Sequence, residues 1–390
     1  MRFEYYNPTR IVFGPGAVQN IGQEVARHGH KALLVVGRSS ARQHGLLDRV
    51  VRLIQAEGVE VEVFEGVEPN PRLSTVLRGA EAAREKDVVV ALGGGSVMDA
   101  SKVMAATVFY EGDPWEMFYV GAREVRLPEK ALPVITVPTL AATGSEANCG
   151  AVVTNEQTIQ KAYVSADCLY PKVAVVDPEL TVTVPKEHTA YGIADIISHV
   201  TESYFNGVDD TPLQDRMSEA VVSTVLEYGP RAVFDGNDLA ARTHLQWASV
   251  LALCDIVQAG TAAPFPVHGI EHCLSAHYDI PHGAGLAILT PAWMRLAARH
   301  RPKKFATFAR RVFGVSDSDD LAAALAVADR MEAFLKSIGA PVRLSLVGIP
   351  ASAILGLASD AIRVAGNGKV LLGRPRLDVE MVAELLRACA

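Results

Sequence analysis

Residues 87–102 read DVVVALGGGSVMDASK. Val88 to Leu92 is an unbroken apolar run, rich in β-branched residues and of the length a buried strand takes. Three glycines follow, and then a helical pattern opens near Ser96. Gly93 to Gly95 let the backbone approach an anionic ligand closely. The helix start adds free N–H groups and the positive end of its dipole. The turn therefore reads as a pyrophosphate cradle. It is not the GxGxxG fingerprint, and it follows the third strand of its unit rather than the first.

Working outward, KALLVV at 31–36 is a short apolar strand ending at Gly37, and VEVEVF at 59–64 alternates as a half-buried strand does. Residues 45–57 and 72–86 carry apolar residues at helical spacing. Downstream, LPVITV at 132–137 is another buried strand, running into PTLAATGSE at 138–146, a second loop rich in small hydroxyl residues. A small hairpin is predicted over 152–165, and residues 172–177 close the first half. The order β-α-β-α-β-α indicates a parallel sheet covered by helices. From about Pro185 the texture turns Ala/Leu/Val-rich with helical periodicity, interrupted by Pro and Gly at 229–230, 260–266, 281–285, 339–341 and 348–350. The expected fold is an N-terminal α/β domain with a Rossmann-like parallel sheet over residues 1–182, and an all-α domain over 183–390. A cleft between them would bring nucleotide and metal face to face.

A chain of 390 residues suits two domains better than one core. The hydrophobic share of 49% and charged share of 21% exclude a disordered protein. A net charge of −7, with no basic run longer than Arg301-Pro302-Lys303-Lys304, argues against a nucleic-acid partner; that run reads as a solvated helix start. No apolar stretch reaches the roughly 18 residues of a membrane span, and no signal peptide is visible. Five cysteines without CxxC spacing fit reduced thiols, so a cytoplasmic location is expected.

PVHGIEHCLSAHYDIPH at 266–282 holds four of the eleven histidines. His268 and His272 are four apart and share a helix face, while Ile280-Pro281 breaks that helix and delivers His282 from a new segment. Upstream, YGIADIISHVTE at 191–202 sets Asp195 four residues before His199. One carboxylate and three imidazoles from such segments suit a divalent ion, Fe²⁺ or Zn²⁺. A zinc-protease helix would need Glu directly after the first histidine; Gly269 stands there, so a metallohydrolase is the weaker alternative.

Taken together, GGGSVMDASK, PTLAATGSE, the Asp195/His199 pair and VHGIEH…PH resemble the iron-containing (group III) alcohol dehydrogenase family, along essentially the whole chain. GVEPNP at 66–71 and SEANCGAVV at 145–153 are similar to its butanol dehydrogenase and NADPH-dependent aldehyde reductase branch. The resemblance implies the dehydroquinate synthase-like architecture and hydride transfer between NADP(H) and a primary alcohol/aldehyde pair. It makes Asp195, His199, His268 and His282 the metal ligands, and His272 the catalytic histidine that passes a proton through the cofactor ribose. Gly94, Gly95, Ser96 and Asp99 would touch the pyrophosphate or nicotinamide side, Asn70, Thr139 and Thr143 would line the groove, and Lys161 would reach the ribose. Leu140 stands where many members have threonine. His277 replaces an apolar or aromatic residue and is expected in the substrate pocket.

A metal- and NAD-dependent cyclase of the same fold would need Lys and Arg around the metal. Residues 185–285 hold only Lys186, Arg216, Arg231 and Arg242, none beside a proposed ligand. The apolar stretch CDIVQAGTAAPFP at 254–266 favours uncharged aliphatic aldehydes. Past the strand at 33–36, Gly37, Arg38, Ser39 and Ser40 precede any acid, so a 2′-phosphate is accommodated and NADP(H) is expected over NAD(H). A homodimer is the expected assembly.

Overall fold

The computed structural model describes every residue except Met1, Ser39 and His44, with Ser40 described by its backbone alone. The described residues form two compact units. One comprises residues 6–119 and 123–184; the other comprises 185–390 with Val120–Ala122 and the residues up to Tyr5.

In the first unit the strands are β1 (Arg10–Phe13), β2 (Lys31–Gly37), β3 (Glu60–Val67), β4 (Val88–Gly93), β5 (Val134–Pro138), β6 (Gly150–Asn155), β7 (Gln160–Ser165) and β8 (Val173–Val176). Six of them make one parallel sheet in the order β1-β8-β5-β4-β2-β3. The inner strands β4, β5 and β8 are buried throughout, as their unbroken apolar runs require, while the edge strand β3 alternates. Helices α1 (Ile21–Ala26), α2 (Ser40–Gln43), α3 (Leu46–Gln55), α4 (Leu73–Ala83) and α5 (Gly95–Thr107) connect the strands. Leu47, Val50 and Ile54 form the apolar stripe of α3 and pack on Leu34, Val36, Val90 and Leu92. Each such side chain contributes about 1.5–3 kcal/mol by leaving water. The chain builds β3 beside β2 and then crosses to β4 on β2's other side. The strand order therefore switches between β2 and β4, and the carboxyl ends flanking such a switch are where α/β sheets bind ligands. β6 and β7 form the antiparallel hairpin expected from the sequence.

The second unit is helical: α6 (Lys186–Asn206), α7 (Pro212–Phe234), α8 (Leu239–Leu253), α9 (Pro266–Tyr278), α10 (His282–His300), α11 (Pro302–Val312), α12 (Asp320–Ser337), α13 (Ile354–Val364) and α14 (Val379–Ala388). α6 is buried nearly all round from Thr189 onward, as a central helix must be, and α7, α8, α9 and α10 pack on it. The sequence reads a break at Gly229-Pro230, yet α7 runs straight through it. Pro230 forfeits one N–H, but packing on α6 and α8 holds the helix, with Gly229 admitting Ile193. No helix among the described residues is long and apolar enough to cross a membrane.

Candidate active site

Asp195, His199 and Glu202 lie at i, i+4 and i+7 on α6 and so share one face. His268 comes from α9. That helix ends at Asp279, whose φ is 51°, and Pro281 then caps α10, so His282 opens a new helix. The following glycine is what lets α10 approach: a Cβ on Gly283 would stand 2.1 Å from the Tyr191 carbonyl oxygen of α6.

These elements bring four side chains to one point. His199 Nδ1, His268 Nε2 and His282 Nε2 lie 3.4, 3.7 and 3.8 Å from Asp195 Oδ1. Asp195, His268 and His282 form one group, with three donor atoms mutually within 4.8 Å. His199 meets that group at the carboxylate and by stacking on His268, centroids 4.4 Å apart. Asp195 Oδ1, His199 Nδ1 and His268 Nε2 are buried and make no hydrogen bond among the described residues. The separations are too long for hydrogen bonds. They suit donors around an ion: with metal–ligand bonds of about 2.1 Å, the edge of a tetrahedron is about 3.4 Å. A buried carboxylate and imidazoles with unspent atoms fit a divalent metal.

Two carboxylates that sequence reasoning left unassigned complete the shell. Glu202 accepts from the backbone N–H of Val267 (2.5 Å) and of His268 (3.3 Å), and bonds His268 Nδ1. Glu271 bonds His282 Nδ1. Both are fully buried. Each engages one ring nitrogen and leaves Nε2 for a metal, the usual carboxylate–histidine–metal arrangement. Their signal was present: each follows a proposed ligand by three residues, on the same helix face. His272 joins Glu271 and His282 in a second cluster, its ring 5.7 Å from that of His282.

Charge follows this geometry. Burial raises Asp195, but His199, His268 and His282 outweigh it and bring the carboxyl down to about 2. Burial lowers His199 to about 4 against the pull of Asp195. Burial also opposes protonation of His268, but Glu202 and Asp195 lift it to about 9. His277 bonds Asp360 of α13 at 2.7 Å, and Arg363 grips that carboxylate at 2.8 Å.

In the α/β unit the two predicted loops meet. Gly94 caps α5 in an extended conformation, Gly95 begins the helix with Ser96 next, and Thr139 N–H donates to Gly93 O at 3.0 Å. A Cβ on Gly95 would lie 2.4 Å from the Thr143 methyl, so only glycine lets the loops close. Asp99 spends both oxygens on the protein, one on Ser145 Oγ (2.5 Å) and one on the Val152 N–H (2.9 Å). It thus holds the second loop on the first rather than presenting a free carboxylate. Lys102, fully buried, ties Ser145, Asn148 and Gly150 O together. Asn70 takes a left-handed φ of 52°, which asparagine tolerates, and accepts from Lys161 Nζ at 2.9 Å. Gly37 ends β2, where a Cβ would make ordinary contact with Val67 O at 3.6 Å and Val97 Cγ2 at 3.8 Å, and Arg38 is exposed. Ser39 and the Ser40 side chain lie outside the described residues.

Residues 8–178 match the domain described as iron-containing alcohol dehydrogenase, and residues 189–389 match the C-terminal domain of the Fe-containing alcohol dehydrogenase family. The chain belongs to the iron-containing alcohol dehydrogenase family. It is 42% identical over 347 residues, 88% of this chain and 89% of the other, to the probable NADH-dependent butanol dehydrogenase 1 of Bacillus subtilis. It is 33% identical over 357 residues, 90% of each chain, to the NADPH-dependent aldehyde reductase YqhD of Escherichia coli. The crystal structure of NADH-dependent butanol dehydrogenase A from Thermotoga maritima superposes with a TM-score of 0.94 at 38% identity, covering 100% of this chain and 98% of that one. Membership makes the protein an oxidoreductase of the NAD(P)-dependent alcohol dehydrogenase class, with a metal and a nicotinamide cofactor. The cyclase and hydrolase alternatives are not favoured.

Proposed function

We propose that the chain reduces uncharged, short to medium aliphatic aldehydes to primary alcohols. In this reading one divalent ion, Fe²⁺ or Zn²⁺, is held by Asp195, His199, His268 and His282. The observation that carries it is the set of buried atoms without hydrogen bonds, Asp195 Oδ1, His199 Nδ1 and His268 Nε2, spaced as donors around an ion. When bound, the metal supplies Lewis acidity toward the carbonyl oxygen and the nicotinamide supplies the hydride. The chain's own part is to orient, exclude water and handle the proton. Glu202 and Glu271 fix the rings of His268 and His282. His272, beside Glu271 and His282, is the group we assign to hold the proton the alcohol takes up, since imidazole exchanges protons near neutral pH. Arg242, a buried cation of this unit, donates to Thr189 Oγ1 and Gly236 O, which supports a substrate without a carboxylate or phosphate to grip.

For the cofactor we propose NADP(H) over NAD(H). β2 ends at Gly37, Arg38 follows, and no acid lies between Gly37 and Asp48 to repel a 2′-phosphate. The competing reading, NAD(H), is favoured by the NADH-dependent relatives. Gly94, Gly95, Ser96, Thr139, Thr143, Asn70 and Lys161 would hold the dinucleotide. A cytoplasmic homodimer is the form we expect, with five free cysteines. The test is oxidation of NADPH and of NADH against a panel of aldehydes, with metal analysis on the same sample. Preference for a 2-oxo acid or a phosphorylated sugar, or turnover without bound metal, overturns the reading.

A further inference from the structure

We propose that the helical unit carries a second ligand site, for a small phosphate-bearing dianion, in the groove where α10 passes into α11 beside the start of α7. The groove is open to solvent and has a volume of about 650 Å³, the size of a small-ligand site. None of its lining residues belongs to the metal cluster or to the cofactor loops.

The charge lining the groove runs against that of the chain. On a protein of net charge −7, five fixed cations line it: Arg216, Arg301, Lys303, Lys304 and Arg311, with His300 beside them. Asp209 and Asp215 also line it, and Glu219 stands behind Arg216 and Arg311. The cations exceed these three carboxylates by two, the charge of a phosphate monoester dianion.

The wall is held in place. Arg301 is anchored by Phe205 O, Gly207 O and Asp209, and Lys304 by Asp215 at 2.5 Å; both side chains are nine-tenths buried. Ion pairs thus fix two cations in position, leaving little ordering entropy to be lost on binding. Lys303, exposed at the rim, has no side-chain hydrogen bond or ion pair among the described residues.

The helix start reinforces the field. α11 spans 11 residues and opens with Lys303 and Lys304, has no acid in its first turn, and receives no side-chain cap. Cations there oppose the helix dipole, an arrangement unfavourable on its own and relieved by an anion. The run Arg301-Pro302-Lys303-Lys304, read from sequence as a solvated helix start, is thus one wall of a groove.

The experiment is calorimetric titration of metal-loaded, NADPH-saturated full-length enzyme, so that the dinucleotide site is filled. The probes are inorganic phosphate and glycerol 3-phosphate, at ionic strength held constant with KCl to remove general screening. The expected result is one saturable event per chain, weakened on the order of tenfold or more in Lys303→Glu and retained in Lys303→Arg. Aldehyde kcat/KM should match across all three proteins. Equal affinity for both probes identifies free phosphate as the ligand; tighter binding of the ester identifies a phosphorylated small molecule. Lack of saturation, or equal binding by wild type and Lys303→Glu, overturns the proposal.

Discussion

Gly283→Ala probes how the fold assembles the metal centre. The new Cβ would lie 2.1 Å from the Tyr191 carbonyl oxygen, and ordinary carbon–oxygen contact needs about 3.3 Å. α10 must therefore withdraw from α6 by about 1 Å, because the obstacle is backbone of a buried helix and no side chain can swing aside. Alanine's better helix propensity returns about 1 kcal/mol. Overpacking costs about 1–3 kcal/mol and exceeds this when neither wall yields. A net loss of about 1–2 kcal/mol should lower the melting temperature of the helical unit by about 2–8 °C. The effect on turnover should be larger. Gly283 directly follows His282, whose Nε2 is 3.8 Å from Asp195 Oδ1, and a shift of about 1 Å at such a site costs on the order of a hundredfold in rate. Differential scanning calorimetry with metal content and kcat on the same preparation reads all three quantities. Wild-type melting and turnover in Gly283→Ala would refute the close-approach argument.

Three further outcomes are expected. Glu271→Gln should weaken metal retention about 10- to 100-fold in chelator competition while the fold persists, because His282 loses the carboxylate at Nδ1; unchanged retention would remove Glu271 from the account. Burial lifts the Glu146 carboxyl from 4.5 to about 7, against a backbone hydrogen bond and Lys102. The folded state then holds the extra proton between about pH 4.5 and 7, so stability falls as pH rises through that window. Glu146→Gln should flatten that slope and be more stable at pH 8 by up to about 3 kcal/mol, with parallel slopes in denaturant titrations telling against it. Gly37→Asp should raise the KM for NADPH about 10- to 100-fold and leave NADH use nearly intact, whereas equal changes for both would show that this turn does not face the 2′-position.

The sheet was legible because burial on both faces leaves a local trace: β4 and β5 are unbroken apolar runs ending in glycine- or hydroxyl-rich loops. The histidines were legible for a similar reason. Spacing of four pairs Asp195 with His199 and His268 with His272, and the proline at 281 sets His282 on a new segment, while the choice of ligands among them came from the family resemblance. Glu202 and Glu271 were harder, because a helical glutamate ordinarily faces water and only tertiary packing reveals that these two are buried against imidazoles. The bond of His277 was not legible because its partner Asp360 lies 83 residues away on another helix. The break expected at Gly229-Pro230 failed for the same kind of reason, since packing outweighed local propensity. Asp99 sits in the expected loop, but its partners Ser145 and Val152 come from segments that only the fold juxtaposes.

On the proposed reading, the Asp195, His199, His268 and His282 cluster holds the metal on which aldehyde reduction depends. The most direct measurement is aldehyde-dependent NADPH oxidation by chelator-stripped wild-type enzyme, before and after one equivalent of Fe²⁺ or Zn²⁺ per chain, with His268→Ala in parallel. The expected result is no turnover when stripped, recovery saturating near one equivalent in the wild type, and no recovery in His268→Ala. Turnover by the stripped protein, or full recovery by His268→Ala, would contradict it.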